Sequence, residues 1–330
     1  MSLSSDGVVS YRDNSILDLA LNMLNSGHQL AFLDEHFRSK PELIHFSNRY
    51  FYQSKLKVMQ HRPCTSSGHL FIHRINGKRD KNGVNQLEAN AVIACIKQQV
   101  SDDIKTGVYH SIGVVSPFRS QADFIAKKID ANFSEAEITK HKLRAATPFG
   151  FQGEERDIMQ LSFAVDNDAK RAAVYLNKAE VFNVAITRAR QAQHLFLSID
   201  ETLLPEHYLL RRYIGTINEF AAAHTYLSDI DYFQRDVIQA LNKLHVETWP
   251  GYSIAGTEVD ILCRYHDRYL AIDLIGYPGP WADFFELDTY KLFNRANIKM
   301  LPISYGLWVV DKNTCLQEIV SRLKKSNNLP

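Results

Sequence analysis

The sequence predicts an α/β protein, a parallel sheet sandwiched by helices and followed by a smaller α/β unit. Two apolar runs point to the sheet. One holds Ile158, Met159, Leu161, Phe163 and Val165, and the other is His194-Leu-Phe-Leu197. Both are short and dense in the way of strands buried on both faces. Helical periodicity alternates with such runs, as at Leu87, Ala91, Val92, Cys95 and Ile96. A new pattern of one helix and then strands starts at Asp231.

Composition sets the outer bounds. At 330 residues, 45% hydrophobic and 23% charged, the chain can bury one large core or two ordinary ones. No apolar run approaches the ~18 residues of a membrane span, and no charged-then-apolar leader stands at the start. Cys64, Cys95, Cys263 and Cys315 stand singly, which suggests neither a disulfide framework nor a zinc knuckle. A cytoplasmic location is the expectation. The formal charge of +1 leaves nucleic-acid binding to a local patch.

In chain order, residues 1–13 read as a polar lead-in, and Asn14 caps a helix over Ile16 to Leu24 that stops near Asn25-Ser-Gly27. Asp34-Glu35 after Ala31-Phe-Leu imitates a magnesium-binding Walker B strand. No G-x-x-x-x-G-K-[ST] accompanies it, because the only Gly-Lys pair is Gly77-Lys78, so that reading is set aside. Leu70 to Ile75 reads as a strand, Asn85 to Val100 as a helix, and Ser111 to Ser116 as a buried strand that breaks at Pro117 into a helix carrying Gln121. Glu88 reads as structural, and Phe46, Tyr50, Phe51 and Tyr52 as core. Two polar clusters abut the apolar runs: Thr147-Pro-Phe-Gly-Phe-Gln-Gly-Glu-Glu-Arg-Asp157 and Asn183-Val-Ala-Ile-Thr-Arg-Ala-Arg190. Gly153 allows close backbone approach, Glu154 can accept from a ribose hydroxyl, and Arg188 can set a planar cation on a phosphate.

These two clusters resemble motifs V and VI of superfamily 1 helicases of the Upf1/Dna2-like branch, T-x-x-x-F-Q-G-x-E-x-D and N-V-A-x-T-R-A-R. Leu33 to Ser39 followed by Pro41 to Tyr52 is similar to the block that opens the second RecA-like domain of that family, and Gly113 to Gln121 to its G-V-I-x-P-Y-x-x-Q segment. The resemblance implies a RecA-like fold, that of the second P-loop NTPase domain. It implies that Arg38 and Arg188 reach the phosphates of ATP as arginine fingers, and that Gly153 and Glu154 lie at the nucleotide. Ser116 and Gln121 would touch the nucleic-acid backbone, unless Gln121 merely ties the turn together, with Thr147 and Gln152 coupling the two sites. It also implies a missing first RecA-like domain as partner, so that this chain is a fragment, or one part of a split assembly, that does not hydrolyse ATP alone.

Leu203 to Tyr226 reads as a helical bridge. The strands Tyr252 to Cys263 and Tyr269 to Ile275 resemble the restriction-endonuclease-like, PD-(D/E)xK fold of very-short-patch-repair type. Asp260 and Asp273 would hold Mg²⁺, and Glu258 shares the Asp260 face of an extended strand. Ile275 occupies the usual lysine position, and Lys291 is placed to stand in. Gln234 and Asp236 lie where a glutamate often sits. Ile298 to Val310 reads as two strands, and Leu316 to Leu323 as a closing helix. Trp281, Phe284, Phe285 and Trp308 read as core. The expected organisation is a lead-in (1–13), a RecA-like domain (14–202), a linker (203–228) and a restriction-endonuclease-like domain (229–330). The expected partner is DNA, favoured by the tail, with RNA left open. The alternative is a tail that is catalytically dead and binds DNA or protein.

Overall fold

A computed structural model describes residues 15–24, 30–60, 68–223, 230–266, 268–277 and 285–324. The first unit, residues 1–34, contributes one described helix, α1 (Ile16–Asn22), with Ile16, Leu17 and Met23 exposed. The expected stop at Asn25-Ser-Gly27 lies outside the described residues, as do Trp281 and Phe284.

The second unit starts at Glu35. A parallel pair, β1 (Glu35–His36) and β2 (Lys57–Val58), brackets α2 (Pro41–Phe51), in which Pro41 takes the first turn, where its missing N–H costs nothing. The main sheet is five-stranded and parallel. Its members are β3 (Leu70–Arg74), β4 (Ile112–Val115), β5 (Arg144–Ala146), β6 (Arg156–Asp166) and β7 (Ala189–Ser198), ordered β3-β7-β6-β4-β5. Helices α3 (Gln86–Thr106), α4 (Arg119–Asn132), α5 (Glu135–Lys140), α6 (Lys170–Leu176) and α7 (Ala179–Ile186) lie between the strands in sequence. Asn85 caps α3 by accepting from the Glu88 N–H, and Gly107 ends it at φ 73°, a conformation glycine adopts without strain. The expected strands and helices of this half are all present.

Ten of the eleven β6 residues are buried, which accounts for the unbroken apolar run in the sequence. The strand also carries a bulge. Its pairing to β7 shifts between Ser162 and Asp166, and Ala164 sits at φ 48°. The buried Glu88 carboxylate accepts from the Ala164 N–H and Ser162 Oγ, each at 2.8 Å, while Arg79 Nη1 donates to the Ala164 carbonyl at 2.9 Å. Glu88 is therefore structural, and its burial raises its pKa to about 7.

The expected bridge is instead part of this core. In α8 (Leu209–Ala223), Leu210, Tyr213 and Ile214 are buried, and the Tyr213 ring meets Phe46 and Phe182 edge-on.

The tail runs α9 (Tyr232–Asn242), β8 (Glu247–Ile254), β9 (Thr257–Tyr265), β10 (Arg268–Ile275), α10 (Leu287–Arg295), β11 (Lys299–Ser304), α11 (Tyr305–Val310) and α12 (Lys312–Lys324). Strands β8, β9 and β10 are antiparallel neighbours, and β11 joins β10 in parallel after the α10 crossover. The second strand expected before Val310 is a helix, because Ser304 caps α11 by accepting from the Leu307 N–H at 3.2 Å. Arg295 on α10 pairs with Glu35 at 2.6 Å, and Met59, just past β2, packs into a tail cluster with Tyr252 and Phe293. The tail is thus docked on the segment that leads to Arg38. Among the described residues no helix is long and apolar enough to cross a membrane.

Candidate functional site

The five main strands run parallel, so the sheet has two distinct ends, and the predicted residues divide between them. Arg188 and Glu155 stand just before β7 and β6, whereas Ser116 and Thr147 stand just after β4 and β5. The segment from Thr147 to Glu155 joins one end to the other.

At the first end, the chain around Arg38 is laced to the start of β7. Ser39 Oγ donates to the Ala189 carbonyl at 2.8 Å, and the Lys40 N–H donates to the Arg190 carbonyl at 3.3 Å. The Ser39 N–H donates to His36 Nε2 at 3.0 Å. Burial and then the nearby Arg38 charge pull the His36 pKa down to about 4, so the ring is neutral and can accept. Arg188 Nε donates to the Val184 carbonyl at 3.0 Å, which holds its guanidinium against the end of α7. Burial first, and then Arg38, lower the Arg188 pKa. Among the described residues Arg188 has no carboxylate partner.

Arg38 pairs with Glu155, which also lies 3.4 Å from Arg190. Glu35, His36, Phe37, Arg38 and Glu155 line an open cleft of about 500 Å³. Two close guanidiniums with one carboxylate between them make a site that a polyanion can enter by competing for Arg38. The acid at this cleft is Glu155, whereas Glu154, the acid expected at the nucleotide, does not line it. Glu154 pairs instead with Arg144, and with Arg156 at 2.8 Å, because neighbouring side chains of an extended segment point to opposite sides. Gly153, at φ 80°, has open space around its Cα.

At the other end, Thr147 lines a cleft of about 360 Å³ together with Arg79, Phe118, Phe149 and Tyr175. The Arg79 guanidinium sits 4.0 Å from the Phe118 ring centroid, and Phe149 is 57% exposed on a short 3₁₀ turn. Neither aromatic was singled out by the sequence; Phe149 between Pro148 and Gly150 was the available signal. Gln152 is exposed beside them. Ser116 is fully buried, its Oγ accepting from the Phe118 N–H at 3.4 Å. Gln121 is also fully buried, and its amide is spent inside the protein. It donates to the Asn85 carbonyl and Ser162 Oγ at 3.0 and 2.9 Å and accepts from the Asn85 N–H at 2.8 Å. In this structure Gln121 ties the turn together and presents nothing to solvent.

In the tail, Asp260 and Asp273 come together across β9 and β10, one position beyond the Ile272–Ile261 pair. Asp260 Oδ2 accepts from the Leu274 N–H at 2.6 Å, and Asp273 Oδ2 from the Tyr290 hydroxyl at 2.6 Å. Asp273 Oδ1 is buried with no hydrogen-bond partner. Burial raises both carboxyl pKa values, Asp260 to about 6 with a further push from Asp273. Lys291 does not reach them. It points outward to Asp288 at 2.9 Å, because one position along a helix is a turn of about 100° from Tyr290. Glu258 is exposed and does not complete a three-acid group within 4.8 Å. Gln234 donates to the Asp260 backbone carbonyl at 2.6 Å, and Asp236 is taken by Lys312 at 2.7 Å. The buried, unpartnered Asp273 Oδ1 beside a second acid fits a divalent cation such as Mg²⁺.

The five-stranded parallel sheet with helices between its strands, an arginine-lined cleft at one end and an aromatic, basic cleft at the other, makes an α/β domain consistent with the RecA-like type. Residues 13–198 match the AAA_12 family model, described as an AAA domain, and the chain belongs to that family. Its relatives are helicases. It is 27% identical over 174 residues to Helicase SEN1 of Saccharomyces cerevisiae, covering 48% of this chain and 8% of that protein. It is 26% identical over 184 residues to ATP-dependent helicase NAM7 of the same yeast, covering 51% and 18%. The DNA replication ATP-dependent helicase/nuclease dna2 of Schizosaccharomyces pombe is 29% identical over 143 residues, covering 41% and 10%. The match thus spans less than a fifth of the length of each relative.

Proposed function

We propose that this chain is the second RecA-like domain of a superfamily 1 helicase, completing an ATP site with a first RecA-like domain. The observation that carries this reading is that Arg38 and Arg188, distant in sequence, lie close enough at one end of the sheet to feel each other's charge, beside an open cleft lined by Arg38 and Glu155. Bound ATP supplies the phosphoryl group to be cleaved. Arg188 and Arg38 place positive charge on it, and Glu155 holds Arg38 until the phosphates compete for it. Single-stranded nucleic acid lies over Thr147, Phe149, Phe118 and Arg79, and the Thr147–Glu155 segment links the two ends of the sheet. The test is nucleic-acid-stimulated ATP hydrolysis by the protein carrying both RecA-like halves. Arg38→Ala and Arg188→Ala should each lower kcat sharply; an unchanged rate in Arg188→Ala would overturn the assignment.

For the tail, the α-β-β-β-α-β order and the paired Asp260 and Asp273 support a restriction-endonuclease-like module that takes Mg²⁺. The placement of Lys291 and Tyr290 favours the alternative to cutting. Among the described residues no basic side chain bonds either acid, so nothing is placed to activate water. The tail is therefore read as a nuclease-like module that binds DNA with a divalent ion and does not cleave it. Metal-dependent cleavage of labelled single-stranded or duplex DNA by the wild-type chain, lost in Asp273→Asn, would reverse this.

A further inference from the structure

We propose that His73, Cys95 and His194 form a binding site for a transition-metal ion of the zinc class, tying α3 to the edge of the main sheet. His73 Nε2 and His194 Nδ1 are 3.0 Å apart, and Cys95 Sγ lies 3.7 Å from that same Nδ1. All three ligand atoms lie mutually within 4.8 Å, the one such group among the described residues. Ligands at ~2.0–2.1 Å (nitrogen) and ~2.3 Å (sulfur) from a tetrahedral zinc stand roughly 3.3–3.6 Å from one another, so closing on an ion needs little movement. Thiolate with imidazole is the donor set that zinc prefers over magnesium or calcium.

The fold builds this cluster from three elements. Strands β3 and β7 pair with Phe71 beside His194 and His73 beside Phe196, which puts both histidines on one face. The Phe71 ring stacks on His194 at 4.7 Å and the Phe196 ring on His73 at 4.6 Å, fixing both imidazole planes. Helix α3 brings Cys95 over that face.

A second observation comes from a fourth residue. Gln160, the register neighbour of His194 on β6, is fully buried, and neither of its amide atoms has a hydrogen-bond partner. Its side chain faces the Cys95 thiol. A hydrogen bond between two neutral imidazoles explains the 3.0 Å contact. It does not explain a thiol on the same nitrogen, nor a fully buried amide whose only polar neighbour is that weakly bonding thiol. An ion would give the cluster a common partner and leave its fourth position to the Gln160 oxygen or to water. The three ligands are far apart in sequence, so no spacing motif announces them.

The test is titration of the tag-free, chelator-treated chain with Co²⁺ and then Zn²⁺. One equivalent of Co²⁺ should produce a thiolate-to-cobalt charge-transfer band with tetrahedral d–d bands, and Zn²⁺ should abolish both. Because the thiolate and not the thiol is the metal ligand, loading should release a proton. Cys95→Ser should lose the charge-transfer band, while His73→Gln and His194→Gln should weaken binding more than about tenfold. Cys315→Ser should behave as wild type. A band that persists in Cys95→Ser, or no band at all, overturns the proposal. Should the variants fail to fold, alkylation of the wild-type chain decides, since Zn²⁺ must protect Cys95 from iodoacetamide and leave the Cys263 and Cys315 rates unchanged.

Discussion

The two halves of this protein each gather charged side chains at the edge of a sheet, and they do so to different degrees of completion. In the RecA-like half, backbone hydrogen bonds from Ser39 and Lys40 to the start of β7 bring Arg38 beside Arg188. Both cations that the proposed reading takes from this chain thus lie at one end of the sheet. In the tail, two acids converge across β9 and β10, but the cation that should join them faces away. Long-range backbone lacing is robust to the identity of the side chain it carries. A residue delivered by helix phase fails with a shift of a single position.

The largest effect should come from the complete site. Arg188→Ala should lower nucleic-acid-stimulated ATP turnover by about 10³-fold, the usual worth of an arginine finger. Arg188→Lys should not restore it, since a lysine lacks the planar fork. A loss below tenfold would reduce Arg188 to a structural residue and remove the contrast between the halves.

Much of the RecA-like half was legible. Apolar runs such as Ile158 to Val165 mark buried strands almost by composition, and Pro117 marks where one stops, whereas α3 runs past the expected Val100 to Thr106. The convergence of Arg38 with Arg188 was legible only through resemblance, because it depends on Ser39 meeting Ala189 across the fold. Composition cannot say which of the adjacent acids Glu154 and Glu155 faces a cleft. Nor can it say which way Lys291 points along α10, and the choice for Gln121 between a nucleic-acid contact and a structural tie is settled only by the folded positions of Asn85 and Ser162.

Buried acids sharpen the comparison further. Glu88 is ringed by donors and holds the β6 bulge, so its burial is a structural feature with a stability cost; its pKa rises from 4.5 to about 7. A raised acid makes folding most favourable where it is protonated in both states. Its contribution should therefore be full below about pH 4.5, fall as pH rises, and be lost by about pH 7, a change of order 3 kcal/mol. Urea denaturation of wild type and Glu88→Gln at pH 5 and pH 8 checks this. The difference between them should depend on pH, and a constant difference refutes it. Asp260, by contrast, owes part of its raised pKa to Asp273, and Mg²⁺ should relieve that part alone.

The incomplete site can be tested by completing it. Ile275 is half-buried at the end of β10, two positions after Asp273. Ile275→Lys should raise Mg²⁺-dependent DNA cleavage by about 10²-fold, the lower range of what a positioned base contributes. If cleavage stays at background while the variant remains folded, the acid pair is not a nuclease centre and the tail is a binding module throughout. A smaller effect is expected at the opposite end of the main sheet. Phe149→Ala should weaken single-stranded oligonucleotide binding by about fivefold to tenfold, as loss of one stacked base implies, without altering the thermal melt. Fluorescence anisotropy at fixed salt separates this from a charge effect.

The smallest expected effect is the most discriminating for the tail. Lys291 holds an exposed pair with Asp288 one turn along α10, and such pairs contribute little to stability. Lys291→Ala should leave the melting temperature, Mg²⁺-induced stabilisation and DNA affinity as they are, whereas Asp273→Asn should abolish the Mg²⁺ response. Tyr290→Phe should strengthen the Mg²⁺ response modestly, because removing its hydroxyl frees a second oxygen of Asp273. Were Lys291→Ala instead to reduce Mg²⁺-dependent cleavage in the Ile275→Lys background, α10 would have to rotate by one position when DNA binds. The tail would then be a nuclease whose base is delivered by its substrate.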